Sequence, residues 1–278
     1  MITIKDFSDY KFRPHAIGKL MSGLPKPLTD LQEATLYNLE NKYKLQTITD
    51  KQLETLVDLR SKKNAKPILS KGAKTYLQEL YKDIFFNRTK NISSKYLQKG
   101  IAVEDDNISQ YNEYKGLFII KNTERFENEY FSGEPDAKDY SILYEFKSSW
   151  DYDTFPLFAE EIPIKDHEYQ VQCYLDLLRL DRAVLVYGLL NTPDDLILKE
   201  KYKKSIEIGV IDLPEEIDNE ITKNMIYDDI PIEFKIKEFE IYRCPKTISQ
   251  IKHIIDLSRE YLNELHFKLS NKLLLNYD

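Results

Sequence analysis

Residues 182–190, RAVLVYGLL, restrict the fold more than any other stretch of the chain. The run is almost continuously apolar, as in a strand covered on both faces. Such a strand needs a sheet around it and a further layer on each side. Residues 166–180 (DHEYQVQCYLDLLRL), just before it, carry apolar side chains at helical spacing. Residues 232–243 (IEFKIKEFEIYR), well after it, alternate apolar and charged, the pattern of an edge strand. Upstream, helices are expected over 29–44, with Thr29 or Asp30 as cap, over 50–62, over 70–86 and over 93–112, the last with Gly100 inside it. Near residue 115 the character changes. KGLFIIKN, RFENEYFSG and YSILYEFKSS are short runs rich in Ile, Tyr and Phe, separated by turn residues, and read as a three-stranded meander. A long amphipathic helix over 247–275 closes the chain.

Helices, three strands, a helix and a strand make an α/β chain with a central sheet flanked by helices. Its 278 residues bury a substantial core without staples. Residues 1–90 read as an N-terminal helical region packed on a core of residues 91–278, one structural domain overall. Residues 50–90 and the tail after 191 carry no readable motif.

Composition excludes several classes. Two cysteines, Cys173 and Cys244, cannot supply a disulfide framework, a zinc motif or the four thiolates of an iron–sulfur cluster. They fit a reducing cytoplasm. No apolar run approaches the ~20 residues of a membrane span, and the opening MITIKDFSDYKFRPH lacks the apolar stretch of a secretory signal. The net charge of −7 is unlike that of many nucleic-acid binders. A locally positive groove on an acidic protein still steers a polyanion.

The chemistry-bearing string is Gly133-Glu134-Pro135-Asp136, eight residues, then Glu145-Phe146-Lys147. On a strand, Glu145 and Lys147 share one face while Phe146 points into the core. A hairpin brings Asp136 back beside Glu145. Two neighbouring carboxylates repel, and a hard divalent cation with its preference for oxygen relieves that repulsion. A lysine on the same face orients or deprotonates a water, or stabilises charge on a phosphate. Metal-bound water becomes a nucleophile near neutral pH. These parts suit phosphodiester hydrolysis. Two helical pairs flank them, each one turn apart: Gly100 with Glu104, a further carboxylate, and Gln170 with Tyr174, both hydrogen-bond donors. The same strings also fit solvated Glu-x-Lys faces and a core tyrosine, so each is weak alone.

In order and spacing, Gly100-x-x-x-Glu104, Gly133-Glu134-Pro135-Asp136, Glu145-x-Lys147 and Gln170-x-x-x-Tyr174 resemble the PD-(D/E)XK nuclease superfamily, more narrowly the RecB-like and phage lambda-type (YqaJ-like) exonucleases. The match is good over residues 95–190 and loose over Arg13–Met21. The resemblance implies a restriction-endonuclease-like core with a mixed sheet and one or two Mg²⁺ or Mn²⁺ ions. Glu104, Asp136, Glu145 and the main-chain carbonyl of Phe146 would be ligands. Lys147 would assist the attacking water, and Gln170 would position Lys147 or DNA. It also implies an exonuclease on duplex DNA ends, in phage-type recombination or end processing in a host cytoplasm. A single-strand annealing protein would be its partner, and homo-oligomers occur among such relatives.

Further DNA contacts are expected at Arg13, His15 and Lys19, whose charge suits a terminal phosphate. Trp150 and Tyr174 are expected near the scissile region, Trp150 as a stacking platform. Lys99, with Lys71, Lys74, Lys90 and Lys95, is expected to line an entry groove. An endonuclease of the same superfamily and a catalytically inactive DNA- or partner-binding protein are the alternatives.

Overall fold

The computed structural model describes residues 6–25, 27–88 and 94–274, with side chains as far as residue 271. Lys90 lies outside the described residues. The chain divides into two compact units: residues 1–8, 19–81 and 249–278, and residues 9–18 and 82–248. The C-terminal helix, expected with the sheet, falls in the first unit from Ser249 onward.

The first unit is helical. Its helices α1 (Asp30–Lys44) and α2 (Asp50–Lys63) both open on capping boxes. The Thr29 hydroxyl accepts from the Gln32 backbone N–H, while the Gln32 side chain accepts from the Thr29 N–H; Thr49 and Gln52 repeat the pair. These reciprocal bonds satisfy donors that a helix start leaves open. Leu36 and Leu39 then pack on Leu56 and Leu59. α3 (Lys71–Phe85) and α9 (Pro245–Leu274) also contribute, the Tyr81 hydroxyl meeting His266 Nδ1 at 3.0 Å.

The second unit holds α4 (Lys95–Ala102), α5 (Glu104–Lys115), a small sheet of β1 (Phe126–Glu127) and β2 (Ser132–Gly133), and then the main sheet. The main sheet comprises β3 (Ala137–Lys138), β4 (Ile142–Ser148), β5 (Arg182–Gly188) and β6 (Ile236–Tyr242), in the order β3-β4-β5-β6. β4 and β5 are parallel and the other pairs antiparallel, so the sheet is mixed. Parallel neighbours need a crossover, and α6 (Lys165–Leu178) lies in it. β5 is the interior strand that its apolar run demands, and β6 is an edge. Leu143, Leu185 and Tyr187 meet Val171, Tyr174 and Leu175 of α6 on one face. Tyr144, Phe146, Val184 and Val186 meet Ile108 and Tyr111 of α5 on the other.

Three features depart from the sequence reading. The expected meander is fragmented: residues 115–122 contribute only a bridge from Lys121 to Ala137, and 126–133 form their own two-stranded sheet. Polar side chains take backbone groups that a ladder would use. Asn112 bonds both N–H and C=O of Ile119, and Asn128 accepts from the N–H groups of Tyr130 and Phe131. The expected helix over 93–112 breaks at Val103, whose φ of −110° and ψ of 13° separate α4 from α5. Gly100 and Glu104 therefore sit on different helices. Residues after 191 contain two further helices, α7 (Asp194–Ile208) and α8 (Glu215–Lys223).

Candidate active site

The two-residue period of β4 places Glu145 and Lys147 on the α6 face of the sheet. Asp136 immediately precedes Ala137, the register partner of Tyr144, so the hairpin carries it beside Glu145. Its Oδ2 accepts from the Phe146 backbone N–H at 2.7 Å. Glu145 Oε1 accepts from Lys147 Nζ at 2.8 Å and from Gln170 Nε2 at 2.5 Å. Glu145 is 1% exposed, and its second oxygen, Oε2, is buried with no hydrogen-bond partner. Leaving such an oxygen unmet costs about 1–3 kcal/mol, and more when it is charged. Gln170, expected to position Lys147 or DNA, instead holds Glu145.

Electrostatics follow from this crowding. Burial, and then the Glu145 charge, push the Asp136 carboxyl up to about 8, against the opposing pull of Lys147 and the Phe146 N–H. Burial works against the Lys147 charge, but Glu145 and Asp136 outweigh it and hold the ammonium above the ordinary lysine value. Glu104 lies close enough to act on both groups. Its own carboxylate is paired with Lys121 at 3.2 Å, and Lys121 also holds Asp105 at 2.8 Å. Among the described residues no three His, Cys, Asp or Glu side chains form a ready cation cluster. The tight carboxylate pair is Asp136 with Glu145; Glu104, expected as a third ligand, is engaged by Lys121.

Glu104, Asp136, Glu145, Phe146, Lys147 and Gln170 line one cavity of about 880 Å³ within the second unit. Gly100 borders it, and a Cβ there would meet open space, so no strand crowds that glycine. His15 also lines the cavity and is exposed. Arg13 is exposed but is not part of the lining. Lys19 belongs to the first unit, where its ammonium sits 5.0 Å from the Tyr76 ring centroid.

Three expected DNA contacts turn inward. Lys99 is 1% exposed; its ammonium donates to the Trp150 carbonyl at 2.8 Å and faces the Trp150 and Tyr227 rings. Trp150 borders the cavity but is buried with Leu196, Ile197 and Met225. Tyr174 is buried, its hydroxyl donating to the Glu134 carbonyl at 2.8 Å. It thereby fixes the turn that delivers Asp136. Burial also holds that phenol above the ordinary tyrosine range. Of the other groove lysines, Lys71 and Lys74 are exposed in the first unit, and Lys95 pairs with Glu200.

Asn107, His167 and Tyr187 also line the cavity and were missed in the sequence. Asn107 Nδ2 donates to the Lys147 carbonyl at 3.3 Å and to Ser148 Oγ at 3.1 Å. His167 lies one turn before Gln170 on α6, a spacing that was a usable signal. Its Nδ1 meets the Tyr187 hydroxyl at 2.7 Å.

No family model and no curated protein matches the chain. Solved structures do. A phage-related exonuclease from Haemophilus somnus 129PT superposes with a TM-score of 0.66 at 23% identity, covering 94% of this chain and 97% of that one. The alkaline exonuclease LHK-Exo from Laribacter hongkongensis gives 0.53 at 13% identity, and its complex with dAMP gives 0.54 at 14%; each covers 74% of this chain and 87% of that one. The chain thus has the mixed-sheet fold of phage-related and alkaline exonucleases, the group its four motifs resemble.

Proposed function

We propose that the protein is a divalent-metal-dependent deoxyribonuclease acting on duplex DNA ends, an exonuclease of phage-type recombination or end processing. One observation carries the reading: the Asp136–Glu145 pair, with Glu145 buried and its Oε2 unpartnered, lies beside Lys147 in an open cavity. An all-oxygen donor set with an unmet charge suits Mg²⁺ or Mn²⁺. Asp136, Glu145 and the Phe146 carbonyl would hold the ion, with Glu104 joining on release from Lys121. The bound ion supplies an acidified water and positive charge against the phosphate. The chain does the rest. Gln170 keeps Glu145 in place, Tyr174 braces the turn before Asp136, and Lys147 donates to the attacking water or to a phosphate oxygen. The fold shared with proteins described as exonucleases, one of them holding dAMP, supports DNA as substrate.

Digestion of linear and covalently closed circular DNA with Mg²⁺ or Mn²⁺ tests the reading. Metal-dependent loss of the linear form alone, abolished by Lys147→Ala, supports it. Equal cleavage of closed circles makes the protein an endonuclease. Inertness on every DNA with either ion leaves a binding protein.

A further inference from the structure

His167 has no role in the scheme above, yet it lines the same cavity, one helical turn before Gln170. Tyr187 is the register partner of Lys147 across the parallel β4–β5 pair, so its hydroxyl and the imidazole sit next to the lysine. The two rings lie 5.7 Å apart. The bond between them decides which imidazole nitrogen carries the proton. A buried phenol keeps its proton, and the one acceptor this hydroxyl has among the described residues is His167 Nδ1. With the hydroxyl as donor, Nδ1 is the bare nitrogen and the proton of the neutral ring lies on Nε2. No described group accepts from Nε2. Burial, and then the nearby Lys147 charge, lower the imidazole to about 4, so the ring stays neutral near pH 7.

Among the described residues the lining contains no arginine, and its one lysine, Lys147, is already engaged by Glu145. Neutral donors in the lining therefore add to what Lys147 alone can offer a polyanion. Neutral N–H groups hold phosphate oxygens as side-chain amides and hydroxyls do elsewhere. We propose that His167, oriented by Tyr187, donates its Nε2–H to a non-bridging phosphate oxygen of a DNA strand seated beside Lys147. This rests on the nuclease reading for the identity of the ligand.

The test compares wild type with His167→Ala, His167→Gln and Tyr187→Phe. Affinity for linear duplex DNA is read in low-salt buffer with EDTA, and KM and kcat are read with Mg²⁺. His167→Ala is expected to weaken binding and raise KM roughly tenfold or more, the worth of a hydrogen bond to a charged group. His167→Gln, whose amide N–H reaches about as far as Nε2, is expected to recover most of that loss. Tyr187→Phe is expected to fall between them. The ¹⁵N spectrum of His167 in the free protein is expected to show a bare Nδ1 and a protonated Nε2. Wild-type behaviour of His167→Ala, a Gln variant no better than Ala, or a protonated Nδ1 overturns the proposal. These readouts separate it from the broader reading. A wild type that binds DNA but never cleaves it sinks the nuclease, while the affinities still judge His167. An active wild type with an unaffected His167→Ala sinks the His167 proposal alone.

Discussion

Glu145 Oε1 takes both Lys147 Nζ and Gln170 Nε2, which leaves the buried Oε2 without a partner. On the nuclease reading, Lys147 is thereby held where charge on a phosphate would develop. Replacing Lys147 with Ala is expected to lower kcat roughly 10²–10³-fold, as for other preorganised donors, with DNA affinity changed far less; an equal loss in both would make it a binding residue. Gln170 acts one step back. Without its amide, Glu145 loses an orienting bond, and partners of this kind typically account for about 10–100-fold in metal affinity. Gln170→Ala is expected to raise the half-saturating Mg²⁺ concentration by that order while leaving the rate at saturating Mg²⁺ largely intact. An unchanged Mg²⁺ titration refutes the role. Asp136, Glu145 and Lys147 were legible in the sequence because strand period alone sets which residues share a face. The partner of Gln170 was not, since Glu145 and Lys147 both lie within a helix's reach. Lys99, Trp150 and Tyr174 are buried where exposed contacts were expected, for a different reason: residue type does not say which face of an element is covered.

At the scale of elements, α1, α2, α6 and β6 were legible because each carries a clean period and, for the first two, its own cap, and β5 because its run is almost continuously apolar. α4 and α5 read as one helix because the break at Val103 has no Pro or Gly to announce it. α4 is only eight residues long, too short to persist alone. Its buried anchor is Lys99, bonded to the Trp150 carbonyl. Burial lowers that ammonium from 10.5 to about 8, with Asp151 opposing. Below about pH 8 the group is charged in both folded and unfolded chains, and the cost of burying it is fully present. Between there and 10.5 the folded chain has released a proton that the unfolded chain still binds. Stability therefore rises with pH across this window, by up to about 3 kcal/mol. The thermal midpoint of wild type, measured against Lys99→Met, is expected to improve from about pH 7 to pH 10; a constant difference contradicts the burial argument. The end of β5 is equally constrained. A Cβ on Gly188 would lie 2.2 Å from Asn107 Oδ1, the side chain that also holds the backbone at Lys147. Gly188→Ala is expected to destabilise by about 1–3 kcal/mol, the usual cost of overpacking, read as a lowered thermal midpoint.

For the whole molecule, the nuclease reading raises the question of how a chain of net charge −7 would hold a polyanion. The cavity adds to the difficulty, because its lining holds the carboxylates of Asp136 and Glu145 with Lys147 bonded to Glu145. Repulsion of this kind acts over roughly a Debye length, ~10 Å at 0.1 M salt. On the proposed reading a divalent ion on the pair would cancel its charge where the strand passes, so metal binding and DNA binding are expected to reinforce each other. Such linkage is reciprocal in free energy. Ca²⁺, an oxygen-seeking cation larger than Mg²⁺, serves as the probe. Adding it is expected to tighten binding of linear duplex DNA to wild type well beyond any effect on an Asp136→Asn, Glu145→Gln double variant. That variant, already stripped of both charges, is expected to bind DNA better than wild type in EDTA and to gain little from the ion. If Ca²⁺ tightens both proteins equally, the ion acts through the DNA or another surface, and the carboxylate pair is not the seat of the coupling.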